Sequence, residues 1–254
     1  MAERYERQFI HQWPTLHPFA EFLVGRYAHI NMSPQTVRKI EQGVRLMELG
    51  YFLERWGMHK SHADYPILHG GLTEVVSKEY AHNDIPLMGS RLADDPRTSF
   101  LRHAFEGIYI ESAKDNIVNN EKERIRRKES IDDSIIAVSL SHQKGKSATI
   151  FPEGGRSSDD NLENGYTGLG KYPRMMGERG IIQPFVVIGA KDVLPKHGMK
   201  PRHADVELVV GDFIYNEYLL NSVKGLSEKE GNRAMVDHVM SKIAELLNKN
   251  GKSG

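Results

Sequence analysis

The chain has 254 residues, enough for one large domain or two small ones. Its 34 Lys and Arg balance its 34 Asp and Glu, which argues against generic nucleic-acid binding, a function that needs a basic footprint. Cysteine is absent, so disulfides, a thiolate metal site and a cysteine nucleophile are excluded. Hydrophobic residues make up 39% and charged residues 27%, an ordinary balance for a soluble globular protein. No apolar run approaches the roughly 20 residues that span a bilayer. The N-terminus, Met1-Ala2-Glu3-Arg4-Tyr5-Glu6-Arg7, lacks the apolar block of a secretory signal. The default expectation is a soluble cytoplasmic protein, with peripheral membrane contact left open.

Residues 1–50 read as a helical segment. Phe19, Phe22, Leu23 and Tyr27 form a short apolar stripe. Ser33-Pro34 is a helix start with proline at the first helical position, followed by Val37, Ile40, Val44 and Met47 at helical spacing. Two packed helices are expected here, their apolar faces serving the core or, less simply, a membrane surface. From about residue 59 the pattern alternates. Ile85–Met88 and Gly107–Ile110 read as strands, with a helix between them over Pro96–Phe105. Residues 119–143 suggest a helix through Ile131, Ile135, Ile136 and Val138; its basic run Arg124–Lys128 suits a solvated face or a lipid headgroup. Ser147–Phe151 is a strand. Gly154–Gly180 is rich in Gly, Asp and Asn and reads as a long loop; its Gly165–Gly170 stretch lacks the strand and spacing of a dinucleotide fingerprint. Ile181–Ile188 and Val206–Ile214 are strands. Ser227 and Glu230 form a capping box ahead of an amphipathic helix through Val236, Val239, Met240, Ile243 and Leu247, and Asn248–Gly254 look frayed. Strands interleaved with helices predict an α/β fold, a mixed central sheet flanked by helices, over residues 51–250.

Two clusters carry candidate chemistry. The first is Phe151-Pro152-Glu153-Gly154-Gly155-Arg156-Ser157, which places a carboxylate, two flexible backbone positions, a guanidinium and a hydroxyl at one strand tip. Glycines there allow backbone N–H groups to approach an anion, and the arginine fork suits phosphate. The second is His59-Lys60-Ser61-His62-Ala63-Asp64, with four residues between His59 and Asp64. If a helix begins just after His59, the carboxylate can fold back onto the imidazole, fix its tautomer and leave the other nitrogen as a base. The same spacing also suits a surface histidine near a helix-capping aspartate. His62 lies only two residues from Asp64, a poor spacing for pairing. His142, His197 and His203 show no metal spacing.

His59…Asp64, Gly107-Ile108-Tyr109-Ile110, Phe151–Ser157 and Ile182-Gln183-Pro184-Phe185-Val186-Val187 occur in this order. Together they resemble the four sequence blocks of the glycerolipid acyltransferase family, over about residues 59–190. The double glycine, and the segment His59–Tyr65, look more like the glycerol-3-phosphate and dihydroxyacetone-phosphate branch than the lysophosphatidate branch. The resemblance implies transfer of a fatty acyl group from a thioester, acyl carrier protein or coenzyme A, to a hydroxyl of glycerol 3-phosphate during phospholipid synthesis. No covalent acyl-enzyme, cofactor or metal is implied. His59 would be the general base and Asp64 its orienting partner. Arg156 would hold the acceptor phosphate, Glu153 would contact the acceptor or orient that arginine, and Gly154, Gly155 and Ser157 would complete the loop. Two departures stand out. Ser112 occupies a position where many members carry arginine; Ser112-Ala113-Lys114 is similar to the plastid-type enzymes, which makes Lys114 a second phosphate ligand or else a solvated lysine. The family also has an apolar strand before the histidine, where this chain has Leu53-Glu54-Arg55-Trp56. Lysophosphatidate or dihydroxyacetone phosphate are alternative acceptors, and a silent acyl-carrier or lipid-binding protein on the same fold is the non-enzymatic alternative.

Overall fold

The computed structural model of the chain describes residues 24–89, 107–110, 121–155, 164–195 and 200–251. Phe19, Phe22, Leu23, the helix expected over Pro96–Phe105, Ser112, Lys114, Arg156, Ser157 and His197 lie outside the described residues. So do the side chains of Arg124, Arg126 and Arg127.

The fold is α/β, a mixed central sheet flanked by helices. Strand β1 (Ala28–Asn31) leads into helix α1 (Pro34–Glu48) and strand β2 (Phe52–Gly57). Helices α2 (Asp64–Val75) and α3 (Lys78–His82) precede strands β3 (Asp84–Gly89) and β4 (Ile108–Ile110). Helix α4 (Glu121–Gln143) and strand β5 (Ser147–Ile150) follow, then helix α5 (Lys171–Met176) and strand β6 (Gly180–Ile188). Helix α6 (Ala190–Val193), strands β7 (Ala204–Val210) and β8 (Ile214–Tyr215), and helices α7 (Asn216–Ser222) and α8 (Glu228–Asn250) complete the chain. The strand order is β1-β7-β6-β2-β5-β3-β4, with β8 paired to β6. β2 is parallel to both β5 and β6, whereas β7 and β8 run antiparallel to β6.

Local chemistry explains most of these elements. Ser33 Oγ accepts the Thr36 N–H at 3.1 Å and Pro34 opens α1, as its sequence predicts. The capping box of Ser227 and Glu230 forms at α8, and the hydrogen bonds from Ser227 hold the Glu230 carboxyl below its ordinary pKa. Alternation along the strands sorts side chains into two apolar layers. Ile182, Val186, Trp56 and Met58 pack under α4, α5, α7 and α8, while Phe185, Val187, Leu208 and Val210 pack under α1, α2 and α3.

Three expectations are corrected. Residues 28–31, expected within a helical segment, form β1 and pair in parallel with β7. The glycine-rich stretch 154–180 contains α5 and short 3₁₀ turns rather than loop throughout. Leu169, Tyr172 and Met176 are buried in the core at helical spacing, an apolar period masked by the surrounding glycines. The single strand expected over Val206–Ile214 is two, broken at Gly211-Asp212-Phe213, where the Gly211 N–H turns to donate to Pro184 O at 2.7 Å.

The polar segment Leu53-Glu54-Arg55-Trp56 is nevertheless the buried central strand β2. Its charges survive burial because each is answered on its own face of the sheet. Arg55 donates to Asp84 at 2.6 Å, to Ser147 Oγ at 2.9 Å and to Tyr80 Oη at 2.6 Å. Burial alone would lower the Arg55 pKa, but Tyr80 and Asp84 outweigh it and the net shift is upward. Asp84 also accepts from the Ser147 and Thr149 hydroxyls, each at 2.6 Å. On the opposite face the Trp56 indole donates to Glu54 at 2.8 Å, and His142 lies 3.8 Å from the other Glu54 oxygen. Removing one partner of a buried pair is costly because the survivor stays buried and uncompensated. Asp84→Ala should therefore destabilise the fold by about 3–5 kcal/mol, read as a lower urea midpoint at unchanged slope. Ser147→Ala should cost only about 1 kcal/mol in the same titration.

Candidate active site

Strands β5, β2 and β6 are parallel neighbours, so their C-terminal ends share one edge of the sheet. Open α/β sheets bind ligands in the crevice outside such ends. The register sets Trp56 beside Ile150 and Gly57 beside Phe185. The segments that follow, 58–63 after β2 and 151–155 after β5, therefore run side by side although 94 residues separate His59 from Glu153.

Asp64 is the first residue of α2, as a helix start just after His59 requires. Its carboxylate is buried and folds back over the preceding turn. Oδ2 accepts the Lys60 and Ser61 N–H groups, each at 2.7 Å, and lies 3.0 Å from His59 Nδ1. A carboxylate accepts and does not donate, so Nδ1 carries the proton and Nε2 is the basic nitrogen. Among the described residues Nε2 has no hydrogen-bond partner. The His59 side chain keeps 19% of its surface exposed while Asp64 keeps 1%. An imidazole held by one buried carboxylate and open on its other side can accept a proton from a bound hydroxyl. Asp64 meets His59 rather than His62, whose ring centre stands 6.4 Å from that of His59.

Three contacts fix the base from elsewhere. Glu153, 1% exposed, accepts the His59 backbone N–H through Oε2 at 2.8 Å. Glu153 thus grips the chain at the base itself, a contact the sequence reading did not anticipate. The Phe151 ring packs against the imidazole with centres 4.5 Å apart. Ser61 Oγ donates to Leu194 O at 2.8 Å and accepts the Ala63 N–H at 3.0 Å, tying the turn to the segment after α6. Ser61 could have been found by its position, three residues before an aspartate that opens a helix. The Leu194 carbonyl had no signal at all, because a backbone acceptor leaves no mark in sequence.

Of the two glycines after Glu153, Gly154 shapes the turn. Gly154 sits at φ +63° and its N–H closes a turn onto Phe151 O at 3.0 Å. That N–H is therefore spent inside the turn rather than offered to an anion. A Cβ at Gly154 would run into the Tyr166 ring, and the Tyr166 backbone N–H donates to Pro152 O at 3.0 Å. The structure brings together His59, Asp64, Glu153 and Gly154, with Gly155 next in the chain. Lys114, Arg156 and Ser157 lie outside the described residues. Among the described residues no group of acidic and histidine side chains is arranged to hold a metal, and no helix is long and apolar enough to cross a membrane. Gly154→Ala should destabilise the protein by about 1–3 kcal/mol, since it forces alanine into the left-handed region against an aromatic ring. Truncating Tyr166 in the same chain should recover only the steric part of that loss, which a paired urea titration of single and double variants would measure.

No protein-family model and no curated protein sequence matches the chain. Among solved structures, it is similar to the 1-acyl-sn-glycerophosphate (LPA) acyltransferase PlsC from Thermotoga maritima. The TM-score is 0.52 at 14% identity, over 90% of this chain and 78% of that one. The two share a fold: a mixed sheet flanked by helices, which here carries His59 and Asp64 at the C-terminal ends of its parallel strands.

Proposed function

We propose that the protein is a glycerolipid O-acyltransferase that moves a fatty acyl group from an acyl thioester, on acyl carrier protein or coenzyme A, to the hydroxyl of glycerol 3-phosphate. The observation that carries this reading is the His59–Asp64 pair, with Nδ1 held at 3.0 Å, on the fold of an LPA acyltransferase. His59 Nε2 takes the acceptor's hydroxyl proton as its oxygen attacks the thioester carbonyl. Asp64 holds the ring and stabilises the imidazolium that forms. Collapse of the tetrahedral adduct breaks the carbon–sulfur bond, and the imidazolium returns its proton to the departing thiolate. The products are an ester and a free thiol, with the base restored. No serine or metal is needed for this balance. Glu153 acts through the backbone of His59 as a positioning residue. Arg156, with Lys114 and Ser157, would bind the acceptor phosphate, an assignment that rests on their residue types and the motif they complete.

A second reading keeps the chemistry and changes the acceptor. The solved structure of similar fold is described as acting on 1-acyl-sn-glycerophosphate, which favours lysophosphatidate as the alternative. Dihydroxyacetone phosphate is the third acceptor to compare. Transfer of a radiolabelled acyl group to each of the three, in competition, decides among them. His59→Ala should lower kcat/KM about 10²–10⁴-fold, the usual contribution of a positioned base. Unchanged turnover in that variant would remove His59 from the role. Thioester binding by the wild type without any transfer would instead favour a non-catalytic acyl-carrier-binding protein.

A further inference from the structure

The His59 imidazole meets two different kinds of partner. Asp64 Oδ2 stands 3.0 Å from Nδ1, at the edge of the ring. The Phe151 ring lies against its face, with centres 4.5 Å apart and planes inclined by 31°. Phe151 is held in place from two sides. Its carbonyl accepts the Gly154 N–H at 3.0 Å, and its ring meets that of Phe185 with centres 5.8 Å apart and planes at 68°. Phe185 is fully buried and stands in register with Gly57, the last residue of β2. A Cβ at Gly57 would come within 2.3 Å of Phe185 Cζ, so only glycine leaves room for that ring. A run of contacts therefore leads from the end of β2 through Phe185 and Phe151 to the base.

We propose that the face of Phe151 stabilises the positive charge that His59 acquires when it takes the acceptor's proton. The inference rests on the transferase reading above, in which His59 is the base. An aliphatic wall would strip water from the imidazole and so oppose its charged form. An aromatic face strips the same water but turns the negative side of its quadrupole toward the cation, inside the roughly 6 Å over which such contacts act. The other charged and titratable groups around the ring are few among the described residues. Asp64, at the opening of α2, acts on the ring edge, and Glu153, after β5, accepts the His59 backbone N–H. Lys60 and His62 share the turn, the His62 ring centre 6.4 Å away. Phe185 from β6 and Leu194 beyond α6 bring no charge. Carboxylate and aromatic ring thus support the imidazolium from different directions, and both leave Nε2 open to substrate. Phe151 forms no bond in the reaction; it is a positioning residue whose ring also favours the charged state of the base.

The test compares the full wild-type chain with Phe151→Leu and with chains carrying mono-, di- and trifluorinated phenylalanine in place of Phe151. Fluorine drains the π face at nearly constant size, so packing is kept while the support of charge falls. The His59 ring protons are followed by NMR through a pH titration, their signal identified by its loss in His59→Gln. Losing a contact that favours the cation lets the proton leave at lower pH. The His59 midpoint should therefore fall below that of the wild type by about half to one pH unit in Phe151→Leu, roughly 3- to 10-fold in proton affinity, and stepwise with each fluorine. In acyl transfer to glycerol 3-phosphate, the acid limb of kcat/KM should move down by the same interval, and its plateau should drop about 3-fold as the base weakens. A midpoint that stays put across the fluorinated series overturns the proposal. So does a midpoint that rises in Phe151→Leu, since the ring would then act by desolvation alone. A lower plateau with an unmoved acid limb also overturns it and leaves Phe151 as packing. Should Phe151→Leu fail to fold, the fluorinated chains decide. If the wild type transfers to no acceptor, the transferase reading falls on its own, and the NMR midpoints still decide the role of the Phe151 face.

Discussion

The ion pair of Arg55 and Asp84 is the constraint on which the site depends. A charge placed mid-strand in the centre of a sheet fixes register more tightly than apolar packing does, because a slip of one residue would strand it on the wrong face. Asp84 collects Arg55 from β2 and the hydroxyls of Ser147 and Thr149 from β5. These contacts lock three strands against one another: Asp84 and Ser147 open β3 and β5, while Arg55 and Thr149 lie just before the carboxyl ends of β2 and β5. The adjacency of His59 and Glu153 follows directly, since each lies just beyond a strand held in that lock. The arrangement also explains why a strand reading Leu-Glu-Arg-Trp is tolerated at the heart of the fold.

Much of this was legible in the sequence. Periodicity located α1, α4, α8 and most strands, because amphipathic faces leave a repeating mark. The His59–Asp64 spacing announced its own geometry, since a helix starting at Asp64 can place its carboxylate only over the turn behind it. The failures have physical causes as well. β1 follows a tyrosine-bearing apolar stripe and is four residues long, too short for a period-two pattern to overrule a helical neighbour. Helix α5 sits among glycines whose flexibility signals loop, although Tyr172 and Met176 are buried within it and Leu169 in the 3₁₀ turn before it. The contact of Glu153 with the backbone of His59 was hidden for a different reason. Its donor is a main-chain N–H, and a carboxylate next to an arginine and two glycines reads most simply as a ligand contact.

The site is built from segments of unequal rigidity. Asp64 belongs to a helix, and Glu153 to a turn closed by Gly154 and braced by Tyr166. His59 itself belongs to neither helix nor strand. Its position is set from outside, by a carboxylate on its ring, a carboxylate on its backbone and an aromatic ring at its side. Such triangulation holds a basic nitrogen still without burying it, which suits a group that must meet a substrate and exclude bulk water only when one is bound.

The Asp64 carboxylate divides its work unevenly. Oδ2 serves as a one-atom hub for two main-chain amides and an imidazole, whereas the equally buried Oδ1 has no hydrogen-bond partner among the described residues. The isosteric amide of asparagine could present its oxygen to the hub and still satisfy all three donors. Its NH₂ would then occupy the silent corner, where two new hydrogens find no acceptor, at a cost of about 1–3 kcal/mol. The fold thus discriminates acid from amide not at the busy oxygen, where both would serve, but at the idle one.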